Sequence, residues 1–66
     1  MKIKFNGEDK TIADGLTISM LLDDLNIKKV GIAVEVNREI VPKTTHDKVL
    51  VNEGDVIEIV RMVGGG

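Results

Sequence analysis

Ile18 to Leu25 is the one stretch whose apolar residues recur at helical spacing: Ile18, Leu21, Leu22 and Leu25 fall at i, i+3, i+4 and i+7. The other apolar runs either alternate with period two or are rich in β-branched residues, which is the pattern of strands. At 66 residues the chain makes one domain. A domain this small hides only about 60% of the surface its unfolded chain exposes, so its core is thin. A lone amphipathic helix and half-polar strands bury their apolar sides most economically against each other. The expected class is α+β: a mixed sheet of four to five strands with one main helix packed across one face.

Local signals set the boundaries. Thr17 is placed to cap the helix N-terminus, with Leu16 and Leu21 spaced as a hydrophobic staple. Asn26 suits the left-handed cap at the other end, with Ile27 folding back onto the helix. Before the helix, Met1 to Phe5 alternates and points Met1, Ile3 and Phe5 inward. Asn6-Gly7 tolerates positive φ and predicts a hairpin, returning along about Lys10 to Ala13 with Ile12 toward the core. After the helix, Lys28-Lys29 reads as a solvated link. Val30 to Val36 follows as a strand with Ile32, Val34 and Val36 on one side. Asn37-Arg38 is a tight turn, and Glu39-Ile40-Val41 is a brief strand stopped by Pro42, which lacks an N–H for the ladder. Lys43 to Lys48 is polar loop, Val49-Leu50-Val51 is short and apolar, and Asn52 to Asp55 turns into a final strand from Val56 to Val63. The first and last strands are the most strongly patterned and are expected side by side at the sheet centre.

Composition narrows the function. The absence of cysteine excludes disulfides, thiolate metal ligation and a thiol nucleophile, and it favours the cytoplasm over an oxidising compartment. A net charge of −2 without a basic cluster argues against nucleic acid as partner. No run approaches the ~18 apolar residues of a membrane span, and the N-terminus lacks the apolar core of a signal peptide. His46, the single histidine, falls in the polar loop and reads as a surface residue. Ser19 has no His–Asp constellation to activate it. The residues that stand out are the three glycines that follow the last strand. Without a Cβ, Gly64-Gly65-Gly66 can enter a cleft too narrow for any other residue. Such a tail presents an α-carboxylate on a tether, and that carboxylate is the candidate functional group; an inert end gives the same sequence. If Ile57 and Ile59 face the helix, Val60 and Met62 face away and form an apolar patch at the tail root, with Arg61 beside it. A one-residue slip would instead put them in the core.

Taken together, several of these features resemble the ThiS family of ubiquitin-like sulfur carriers of thiamine biosynthesis. They are the Asn-Gly hairpin, the Thr-capped Leu-Leu helix, Val34-Glu-Val-Asn-Arg-Glu-Ile-Val-Pro42, the Glu53-Gly-Asp55 turn and the closing glycines. The resemblance covers essentially the whole chain. It implies a β-grasp fold over residues 1–63 and a flexible glycine tail over 64–66. It also implies a protein cosubstrate rather than an enzyme, with no bound cofactor. An E1-like adenylyltransferase of ThiF type would use ATP to adenylate the Gly66 carboxylate. A cysteine desulfurase relay would supply sulfur to form a thiocarboxylate, and a ThiG-type thiazole synthase would draw on it. Gly64, Gly65, Val60, Arg61 and Met62 are then the expected partner-binding residues. Gly64 is one glycine more than the family's diglycine. A MoaD-type or other-pathway carrier and a ubiquitin-like protein modifier are the alternative readings.

Overall fold

The computed structural model describes residues 1–62. Five strands and one α-helix follow one another as β1 (Lys2–Phe5), β2 (Glu8–Thr11), α1 (Ile18–Asp24), β3 (Ile32–Val36), β4 (Glu39–Val41) and β5 (Val56–Arg61), with a 3-10 turn at Lys43–Thr45. The sheet order is β2-β1-β5-β3-β4. β1 and β5 run parallel at the centre, and the other neighbours are antiparallel. This is the β-grasp arrangement: two hairpins side by side, joined through the helix, with the last strand inserted between them.

The core lies between α1 and one sheet face. Ile18, Leu21 and Leu22 from the helix meet Ile3, Phe5, Ile32, Val34 and Ile57 from the sheet, with Ile12 and Val51 closing the ends. Leu16 and Leu25 pack against this cluster partly buried. The helix is held at both ends by the expected chemistry. Thr17 Oγ1 accepts from the Met20 N–H at 3.2 Å. At the other end Asn26 sits at φ 57°. Its N–H donates to Asp23 O at 3.1 Å, and the Ile27 N–H donates to Leu22 O at 2.9 Å, the paired bonds of a Schellman cap.

Two strand starts differ from the sequence reading. The return strand begins at Glu8, not Lys10, because Asn6 (φ 49°) and Gly7 (φ 81°) alone make the turn and Phe5 pairs directly with Glu8. β3 begins at Ile32 rather than Val30, since Gly31 at φ 70° breaks the extended run and leaves Val30 exposed. Val49-Leu50-Val51 is no sheet strand: Leu50 forms only an isolated bridge to Thr17. Val63, the expected end of the last strand, lies outside the described residues.

Candidate functional site

The candidate site is the end of β5, where the sheet hands over to the glycine run. Strand alternation fixes which side chains share a face. Ile57 is fully buried under the helix and Ile59 is half-buried on the same side. Val56, Glu58, Val60 and Met62 take the opposite face, and Val60 is 45% and Met62 61% exposed. The sheet register adds Ala33 directly across from Val60 and Glu35 directly across from Glu58. Ile40 lies across from Glu35 and is also exposed. The outer face thus carries an apolar surface that runs to Met62, the last described residue, interrupted by two opposed glutamates. Arg61 is exposed but alternates onto the helix side, so it flanks the Val60–Met62 patch rather than joining it. Gly64, Gly65 and Gly66 lie outside the described residues.

Two asparagines set where β5 starts and where its pairing with β1 stops. Asn37 occupies the first left-handed position of the β3–β4 turn (φ 52°), with Arg38 second (φ 70°). Its Nδ2 donates to Asp55 Oδ1 at 3.0 Å, and its Oδ1 accepts from the Val56 N–H at 3.0 Å. Asp55 is buried, and its other oxygen accepts from the Asn52 N–H at 2.8 Å. At the other end the Asn6 N–H donates to Ile57 O at 2.9 Å, while Asn6 Oδ1 accepts from the Ile59 N–H at 2.8 Å. The sequence marked Asn6 and Asn37 as turn residues only. Their contacts to β5 span 53 and 19 positions, and no local pattern signals them.

His46 is not the surface residue its polar neighbours suggest. It is buried, its ring Nε2 lies 2.9 Å from Val41 O, and its own carbonyl accepts from the Ser19 N–H at 2.8 Å. A carbonyl partner requires the proton on Nε2, so His46 holds β4 through its ring and the start of α1 through its backbone carbonyl. Ser19 Oγ accepts from Lys29 Nζ at 2.9 Å, and the same ammonium meets Asp23 at 2.8 Å. Lys29 is therefore tied to the helix rather than merely solvated. Among the described residues, no three His, Asp or Glu side chains converge as metal ligands, and no helix is long and apolar enough to cross a membrane.

Comparison with known proteins follows the same outline. The sequence profile of the ThiS family matches residues 3–66. The chain is 33% identical over its whole length to the sulfur carrier protein ThiS of Escherichia coli, covering 100% of that protein. It is 44% identical over its whole length to a thiazole synthase of Paramagnetospirillum magneticum, of which it spans only 20%. Among solved structures, the thiamine biosynthesis protein (ThiS) of Geobacter metallireducens superposes with a TM-score of 0.89 at 30% identity, with both chains fully covered.

Proposed function

The chain belongs to the ThiS family, and from that premise we propose that it is a sulfur carrier whose closing residue, Gly66, holds the reactive group. The observation that carries the reading is the apolar surface of Val60 and Met62, exposed at the end of β5 and a few positions before the glycines in the sequence. A body that only folded would gain by burying such side chains. Beside a tail, they make a docking surface for the enzyme that must grip the body while it works on the end.

The chemistry follows from the poverty of a carboxylate as an electrophile. Its negative charge repels nucleophiles, and oxide is a poor leaving group. In the proposed first step a Gly66 carboxylate oxygen attacks the α-phosphorus of ATP on an E1-like adenylyltransferase, and pyrophosphate leaves. The terminal sulfur of a persulfide supplied by a cysteine desulfurase relay then attacks the acyl carbon and AMP leaves. A second thiol of the relay cleaves the resulting acyl disulfide, releasing the thiocarboxylate and leaving a disulfide on the relay. Activation thus divides one hard substitution into easier ones. The thiocarboxylate so formed holds an anionic, polarisable sulfur without releasing free sulfide. The carrier contributes tethering and recognition, as group carriers do, while its partners supply the catalytic groups. Gly64 and Gly65 are the part of the tether that enters the partner's channel. Thiazole synthase as the acceptor is supported by the longer P. magneticum thiazole synthase, 20% of whose length aligns with this chain.

The test is intact-mass analysis after incubation with ATP, the adenylyltransferase and a sulfur source. The expected gain is about sixteen mass units, oxygen exchanged for sulfur at the carried group. Gly65→Ala and Gly66→Ala are expected to abolish the gain while leaving the urea unfolding curve unchanged. An unaltered wild-type mass with a demonstrably active adenylyltransferase sinks the proposal. An isopeptide-linked ladder on a denaturing gel would turn it toward a protein modifier.

A further inference from the structure

The central strand β5 is paired on both sides for only part of its length. Its even-numbered residues aim their backbone groups at β3, as the Met62 N–H to Gly31 O bond of 2.8 Å shows. Its odd-numbered residues aim at β1: Asp55 O and Ile57 O accept from the Lys4 and Asn6 N–H groups. But β1 pairs only with Val56 and Ile57 before the chain turns away at Asn6-Gly7. Asn6 Oδ1 then takes the Ile59 N–H. Beyond it, Ile59 C=O and the Arg61 N–H and C=O point along the same edge with no partner among the described residues.

We infer that this short open edge receives an extended segment of the enzyme that processes the glycine tail, as an added strand beside Ile59–Arg61. The inference rests on the proposed function and names how that partner is recognised. Strand addition is a general route of peptide recognition, with main-chain hydrogen bonds supplying affinity. Here three backbone groups in a row lie immediately before residues 63–66. A strand bonded to them sets the direction and depth at which the tail root leaves the sheet, whatever the side chains are. The same three groups are too few to hold two copies of this chain together by themselves, which favours a partner that also holds the tail.

Arg61→Pro and Arg61→Ala both lack the side chain, and only the first lacks the N–H. Since that N–H faces the open edge, proline there removes no ladder bond. Binding of the E1-like adenylyltransferase is measured by titration, separately from the mass gain. Arg61→Pro is expected to unfold at the temperature of Arg61→Ala and to bind about tenfold more weakly than it, the scale of one hydrogen-bonding group left unpaired in an interface. If proline's fixed φ lowers the melting temperature, an amide-to-ester exchange at residue 61 in a synthetic chain removes the N–H alone and is held to the same comparison with the wild type. Equal binding by the N–H-deficient and N–H-bearing chains overturns the inference. So does a wild-type dimer that the N–H-deficient chain fails to form, which would assign the edge to a second copy. A missing mass gain with this binding difference intact would count against the proposed sulfur chemistry and leave the edge standing.

Discussion

Replacing Asn37 by glycine separates its backbone role from its side-chain role. Glycine keeps the left-handed turn at φ 52° and deletes both side-chain bonds. The bond to the Asp55 carboxylate is charge-assisted and, partly exposed, is worth about 1.5 kcal/mol, the low end for such bonds. The bond from the Val56 N–H is neutral and open to water, so losing it costs about 0.5 kcal/mol. Relief of the left-handed strain that asparagine carries offsets the larger unfolded-state entropy of glycine to within about half a kcal/mol. The expected loss is therefore about 2 kcal/mol, or about 8–16 °C in Tm for a domain of this size, read by urea and thermal unfolding. Asn37→Asp sharpens the test. It sets a new carboxylate oxygen where Nδ2 now lies, 3.0 Å from Asp55 Oδ1, and should cost a further ~1–3 kcal/mol at neutral pH. Two like charges that close raise the folded-state pKa of the pair above its unfolded value. The folded state then binds the proton more tightly, so the extra loss is full above the carboxylate range and fades as pH falls through it. If Asn37→Gly unfolds within about 0.5 kcal/mol of the wild type, or the aspartate penalty does not change with pH, the assignment of Asn37 as the anchor of β5 is wrong.

Other substitutions probe separate parts of the body. Leu22 is fully buried in the helix–sheet core, so Leu22→Ala should cost about 3 kcal/mol in urea unfolding and leave little native protein at 37 °C in a domain with so thin a core. Glu58 and Glu35 are directly opposed on the outer face, and neither is in an ion pair among the described residues. Glu58→Gln should therefore raise stability by about 0.2–1 kcal/mol, with the gain shrinking in high salt. His46→Ala removes the bond to Val41 O and the buried ring, and should cost about 1–3 kcal/mol. The same loss from an exposed loop histidine would be near zero, so the unfolding midpoint decides whether the His46 ring holds β4.

Patterns that repeat within a few residues were legible in the sequence. The stripe Ile18, Leu21, Leu22 and Leu25, the Thr17 and Asn26 caps and both two-residue turns announce themselves within a window of four to eight positions. The central pairing of β1 with β5 was legible for another reason: those two strands had the strongest apolar patterning and so the strongest claim to the middle of the sheet. His46 looks like a surface residue in the sequence because its neighbours Thr45, Asp47 and Lys48 are polar, whereas its burial depends on where β4 and the start of α1 meet in space. Asn6 and Asn37 are legible as turn residues and not as contacts, because their left-handed backbone leaves a local mark and their side-chain bonds to β5 do not. The exposure of Val60 and Met62 followed from alternation only once the register of Ile57 was fixed, and a slip of one residue would have reversed it.

The distribution of polar contacts along β5 bears on why a carrier would be built this way. At the start of the strand Asp55, Asn37 and Asn52 form a connected set around Val56, and the Gly54 N–H donates to Lys2 O at 2.8 Å. At its end, Asn6 closes the β1 side at Ile59, and only β3 continues alongside, to the Gly31–Met62 bond. Holding a strand at one end and leaving it half-paired at the other makes the free energy of local opening fall toward the glycines, since fewer bonds must break there. Hydrogen exchange measures this gradient directly. The Ile57 amide should exchange only with global unfolding, and the Arg61 amide, facing the open edge, should exchange at least about a hundredfold faster. Equal protection at both positions would mean that the edge is closed by the chain itself. The half-paired end would then offer a partner no backbone groups to bind.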